Sequence, residues 1–203
     1  MENNKVILSG EVVSPFKFNH EVYGEGFYVC DLAVKRLSGY VDVLPLMVSD
    51  RLMDVTQDYI GTMVEVTGEF RSYNLHEGDK HRLVLNVFAQ EIYSVDSPAD
   101  SVGNNQISLT GYICKKPVFR ETPRGRIITD ILLAVNRPYG KSDYIPLVIW
   151  GRNAGYAAGL QVGDQINVQG RIQSRAYIKQ LSDTQAEERT AYEVSVGKLE
   201  VIE

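Results

Sequence analysis

The sequence predicts an all-β chain with short helices, built as two successive copies of one strongly curled five-stranded unit. Three observations predict it: an internal repeat, apolar residues alternating with period two, and glycines set inside long strands. The repeat is explicit. Asn4, Leu8 and Gly10 meet Asn105, Leu109 and Gly111 at an offset of 101. The same offset pairs Ala33, Val34 and Arg36 with Ala134, Val135 and Arg137, Pro45-Leu46 with Pro146-Leu147, and Arg51 with Arg152. One residue more, 102, pairs Gly61, Val66, Gly68 and Ser72 with Gly163, Val168, Gly170 and Ser174. Two domains are therefore expected, over 1–95 and 105–203, joined by a linker over 96–104 whose Pro, Gly, Asp and Ser residues are linker formers.

Each unit reads as strands in order. In the second, "QISLTGYI" alternates, "IITDILLAVN" is a β-branched apolar run, "DYIPLVIW" and "DQINVQGRIQSRAYI" alternate, and "AYEVSVGKLEVI" closes the unit. A short helix is expected after the third strand at "RNAGYAAGL". Its counterpart "RLMDVTQDYI" places Leu52, Val55, Tyr59 and Ile60 on one helical face. "GEG" at 24–26 reads as a hairpin turn. Interior glycines such as Gly68 and Gly170 suit a sharply bent sheet. Five curled strands with a helix after the third make an OB barrel, so two tandem OB-fold barrels are expected.

Order and spacing of several segments carry a family resemblance: "NNQISLTGYICKKPVFR", "LLAVNR", "YIPLVIWGRNA" and "GDQINVQGRIQSRAY". From Asn105 to about Ile202 the chain resembles the DNA-binding domain of the bacterial single-stranded DNA-binding proteins, and the first unit resembles a more distant member. The resemblance implies binding and coating of single-stranded DNA with little sequence preference, in support of replication, repair or recombination. It also implies assembly of four OB domains, which two chains would supply as a homodimer. The long tail with an acidic tip that the family carries has no counterpart, since the sequence closes on "KLEVIE"; recruitment of replication or repair proteins through such a tail is not expected.

Whole-chain charge argues the other way, with 21 basic against 26 acidic side chains and a net of −5. Divided by unit, it does not. Residues 1–101 hold 8 basic and 16 acidic groups, whereas residues 102–203 hold 13 and 10, so a polyanion should prefer the second unit.

Single strands are gripped by cationic grooves carrying aromatic rings on which bases stack. Along 142–151, Ile145, Leu147 and Ile149 alternate inward, which turns Tyr144, Pro146, Val148 and Trp150, the only tryptophan, to the other face. In the fourth strand Ile166, Val168, Gly170 and Ile172 point inward, so Arg171, Gln173, Arg175 and Tyr177 point outward. The family's stacking positions fall on Tyr139, Tyr144, Trp150 and Tyr177. Nearby cations are Lys115, Lys116, Arg120, Arg124, Arg126, Arg137, Lys141, Arg152, Arg171 and Arg175; phosphate contacts are expected from Arg171, Arg175, Arg137, Arg152, Lys116, Arg120 and Arg126. Arg137 and Arg152 recur in the first unit, so a structural role competes with a phosphate role for them. A subunit contact is the competing reading for Trp150 and Tyr144. In the first unit Val43, Pro45, Met47 and Ser49 occupy the corresponding face, and only Tyr40 and Tyr73 remain as aromatic candidates.

Other classes find less support. His20, His76 and His81 are expected in loops and have no metal-ligand spacing, and no nucleophile elbow or P-loop occurs, so neither enzymatic activity nor a cofactor is expected. Acidic pairs such as Asp54 and Asp58 read as a solvated surface. Cys30 and Cys114 read as buried thiols in a reducing compartment. No stretch reaches the ~20 apolar residues of a membrane span, and "MENNKVILSG" lacks a leader pattern, so a cytoplasmic protein is expected. The principal alternative function is a protein-interaction module of primosomal or phage accessory type. Stacking alone leaves RNA open as a ligand.

Overall fold

The computed structural model describes residues 3–77, 80–96, 104–182 and 185–202. The first unit comprises β1 (Asn4–Val12), β2 (Lys17–Val22), β3 (Glu25–Lys35), β4 (Val41–Ser49), β5 (Met63–Glu77) and β6 (Lys80–Ser94). The second comprises β7 (Asn105–Ile113), β8 (Val118–Glu121), β9 (Ile127–Arg137), β10 (Lys141–Trp150), α1 (Arg152–Ala157), β11 (Gln165–Ser182) and β12 (Gln185–Ile202). In each unit five strands close on themselves. β1 pairs with both β5 and β3, and β7 with both β11 and β9, while β4–β6 and β10–β12 are the parallel pairings. Both units are OB-fold barrels. β2 and β8 are additional short strands hairpinned onto β3 and β9, and they form the two ends of the twelve-stranded sheet. The expected linker lies for the most part outside the described residues.

Alternation dictates the cores. Val6, Leu8, Leu32, Leu44, Leu46, Val64, Val66 and Phe70 fill one barrel; Leu109, Leu133, Ile145, Leu147, Ile149, Ile166 and Ile172 fill the other. Gly10 and Gly111 let β1 and β7 cross β3 and β9, because a Cβ there would lie 2.5 and 2.4 Å from the carbonyl oxygens of Ala33 and Ala134. The β2–β3 turn forms on Tyr23 and Gly24, both at positive φ.

Two expectations need correction. Residues 51–60 form turns, whereas α1 forms as expected. The reason is local competition: Asp54 Oδ1 accepts the Thr56 N–H at 3.1 Å and Asp58 Oδ1 accepts that of Ile60 at 3.0 Å, giving the backbone an alternative to helical bonds. The histidines are not in loops, since the backbones of His20, His76 and His81 lie in β2, β5 and β6.

The barrels join along an antiparallel seam of β1 and β7, in which Val6 faces its own counterpart Ile107 and Asn4 faces Leu109 as Leu8 faces Asn105. The seam thus has an internal two-fold, and side chains repeat it. Asn3 Nδ2 donates to Asn136 O and Asn104 Nδ2 to Lys35 O, each at 2.6 Å. Asn4 bridges the Phe70 backbone and Asn105 that of Ile172. Asp42 accepts the Ser174 N–H, and Asp143 that of Ser72, each at 2.7 Å.

Candidate nucleic-acid interface

The outer face of the second barrel runs across β8, β9, β10, β12 and β11. Register places its side chains in rows. Trp150 lies beside Ile128, which also neighbours Arg120. Val148 adjoins Ser195, which pairs with Arg171. Arg175 and Tyr177 pair with Ala191 and Arg189.

Trp150 is half-buried, its indole N–H donating to Ser195 Oγ at 3.1 Å, which fixes the ring edge and leaves part of the ring at the surface. Tyr144 is exposed, and its backbone N–H donates to Ser72 Oγ of the first barrel at 2.7 Å. Tyr177 is exposed with the Arg175 guanidinium 5.9 Å from its ring centroid. Tyr139 stands fully exposed at the tip of a single 3-10 turn, at φ +64°.

Three depressions lie on or beside this face; Tyr177 lines one of them, whereas Trp150, Tyr144 and Tyr139 line none. A groove of about 380 Å³ is lined by Lys116, Arg120, Pro146, Val148, Arg175 and Tyr192. It shares Pro146, Ala191 and Tyr192 with a cleft of about 440 Å³ that adds Tyr177, Lys179 and, from the first barrel, Tyr73 and Arg82. A basin of about 680 Å³ holds Arg126, Arg171 and Ser195 together with Lys35 and Arg36. The groove and cleft are therefore continuous, and both cleft and basin straddle the two barrels.

The arginines divide by partner. Arg120 is paired with Asp130, Arg175 lies 3.5 Å from Glu193, and Arg36 grips the buried Asp42 through two bonds of 2.6 Å. The Arg171 side chain makes no hydrogen bond or ion pair among the described residues. Burial, and behind it the like charge of Arg36, holds its pKa below the ordinary arginine value.

Two sequence expectations shift position. Arg137 does not join Trp150. It lies 3.3 Å from the buried Asp143 and lines a separate depression on the first barrel with His20, Arg71, Tyr73 and Phe88. Gln173, expected to point outward with Arg171 and Arg175, is buried on that face and donates to Glu193 at 2.8 Å; Ser174 beside it is bonded to Asp42 of the first barrel. Arg152, at the start of α1, is exposed and lines none of these depressions. Reasoning from the sequence missed Lys35 and Arg36 as members of the basin. The signal was present, because the Arg36–Asp42 spacing recurs as Arg137–Asp143.

Residues 104–202 match the single-strand binding protein family. Over 80 residues the chain is 35% identical to single-stranded DNA-binding protein B of Bacillus subtilis, which covers 36% of this chain and 71% of that protein. The chain belongs to the single-strand binding protein family. Another family relative, the single-stranded DNA-binding protein of Halalkalibacterium halodurans, is 36% identical over 80 residues, covering 36% of this chain and 48% of that protein. The chain spans about half the length of most of the curated relatives it matches. The wild-type single-stranded DNA-binding protein of Thermus aquaticus aligns with a TM-score of 0.76 at 21% identity, over 98% of this chain and 93% of that one, so the likeness extends over both barrels. Within this family fold, no helix among the described residues is long and apolar enough to cross a membrane.

Proposed function

We propose that this protein binds and coats single-stranded DNA without catalysis, the strand running over the outer face of the second barrel. The observation that carries the reading is the row Trp150–Ser195–Arg171, in which the indole bonds the residue paired with an arginine that has no ion pair among the described residues, with the exposed rings of Tyr144 and Tyr177 on the same two strands as Trp150 and Arg171. Bases stack on rings with little regard to identity, and cations neutralise phosphates, which releases counterions. Lys116, Arg120, Arg126 and Arg175 contribute to the cationic path, and Tyr139 extends it from the turn before β10. Two chains bring four barrels, and a homodimer is the proposed assembly; a strictly monomeric sedimentation profile at micromolar concentration would refute it.

A second reading, a protein-interaction module for replication or repair factors, is favoured by one feature. β2 is a sheet edge with exposed Phe18 and Val22, followed by the fully exposed Tyr23.

The deciding experiment is a fluorescence titration of Trp150 with oligo-dT, with oligo-U and with duplex of equal length at two salt concentrations. Quenching by dT alone that weakens with salt supports the reading. Equal response to oligo-U makes the protein indifferent to the sugar. No quenching and no salt-sensitive binding leaves the interaction module.

A further inference from the structure

The basin between the barrels concentrates cations from both. Lys35 and Arg36 come from the first, Arg126 and Arg171 from the second. Among the described residues, only Arg36 of these has a carboxylate partner, the buried Asp42. Glu193, the other acid that acts electrostatically on Arg36, is held by Gln173 and by Arg175. Lys35, Arg126 and Arg171 therefore form no side-chain ion pair among the described residues, and Arg171 is held there against burial and the like charge of Arg36, offset only in part by Asp42, whose bonds go to Arg36 and Ser174. Ser195, which holds the Trp150 indole, lines the same basin.

The seam's two-fold sharpens the point, because it maps this basin onto a face of different chemistry. Arg126 maps to Glu25, Arg171 to Glu69, Lys35 to Asn136 and Trp150 to Ser49. Both of those glutamates are already satisfied, Glu25 by Arg51 at 3.2 Å and Glu69 by Arg71 at 2.8 Å. A symmetric frame thus carries one cationic seat.

We infer that the basin is a single composite phosphate seat, in which Lys35 of the acidic first barrel joins Arg126 and Arg171 in holding one backbone phosphate of the strand whose neighbouring base lies on Trp150. Arg36, saturated by Asp42, positions the seat and binds nothing itself. The inference deepens the single-strand reading and rests on it. It assigns a ligand contact to the barrel within residues 1–101, a stretch whose net charge of −8 argues against one.

Affinity for oligo-dT measured across a salt series tests it, with Lys35→Ala, Lys17→Ala, Arg171→Ala and the double variant Lys35→Ala/Arg171→Ala. Lys17, exposed on β2, is a charge control on the same barrel. Removing one phosphate contact lowers the slope of log K against log salt by ~0.7 for a single strand. The expected result is that loss for Lys35→Ala, none for Lys17→Ala, and a double variant that loses less than the two single losses combined, since both cations share one phosphate. If Lys35→Ala matches Lys17→Ala while Arg171→Ala weakens binding, the seat belongs to the second barrel alone and the inference falls while the single-strand reading stands. If no variant alters binding and Trp150 is not quenched, both fall.

Discussion

Asp42 accepts the backbone N–H of Ser174 at 2.7 Å, a bond that crosses from one barrel to the other. The same carboxylate, fully buried, takes two bonds from Arg36 and a further 3.1 Å bond from the Ser174 hydroxyl. Asp42→Ala strands the Ser174 N–H, a loss of ~1–3 kcal/mol for a buried donor without acceptor. Chemical denaturation should show the whole chain destabilised by at least that amount, with Arg36 freed to bind anions.

Asp143 is the counterpart, and its environment is poorer. Arg137 stands 3.3 Å away without a well-formed hydrogen bond, and burial pushes the carboxyl pKa up, only partly opposed by the Ser72 N–H and by Arg137. A raised folded-state pKa means the native state holds its proton longer than the unfolded chain. Its stabilising contribution is complete below the ordinary aspartate pKa and is lost as pH rises through the higher native value. Asp143→Asn should therefore flatten the stability profile in the mildly acidic range. The test is thermal unfolding of both proteins from pH 4 to 8; parallel profiles would contradict it.

Trp150→Ala removes a stacking surface and should weaken oligo-dT binding by ~1–3 kcal/mol, while Trp150→Phe keeps part of it. Anisotropy with a labelled oligonucleotide measures the effect, and far-ultraviolet circular dichroism checks that the barrels persist.

Gly170 sits at a bulge in β11, where a Cβ would lie 2.1 Å from the Ser195 carbonyl oxygen. Backbone of β12 has to yield, so Gly170→Ala is expected to cost ~1–3 kcal/mol. Displacing Ser195 also disturbs the bond that holds the Trp150 indole, so the emission maximum should shift.

The thiols should differ in reactivity. Burial, with Asp31 adding to it, pushes the Cys30 pKa up to about 12, whereas Cys114 is half-buried and raised less. A thiol-disulfide reagent at pH 8 should modify Cys114 first and reach Cys30 only on unfolding; equal rates in the native state would contradict this.

Much of the molecule was legible in the sequence because strand parity is a strict rule. Ile145, Leu147 and Ile149 are buried and Tyr144 is exposed, as alternation requires. The repeat exposed both barrels, and α1 formed where it was expected. Parity, however, names a face without naming what covers it. Gln173 points away from its own core and is buried all the same, and Arg137 leaves its barrel to line a depression on the other. These outcomes depend on the antiparallel seam, which no single strand's pattern encodes. Residues 51–60 misled for a different reason: the spacing of Leu52, Val55, Tyr59 and Ile60 is helical, but Asp54 and Asp58 each capture a nearby N–H first.

The seam also bears on how the chain reaches this state. Because β1 meets β7 through surfaces related by the repeat, with Val6 opposite Ile107, the strand that completes the pairing is separated in sequence by about a hundred residues and has an equivalent on every other chain in solution. Intramolecular closure depends only on the connecting segment, whereas pairing with a neighbour grows with concentration. Refolding yield should accordingly be a contest between the two, won by dilution.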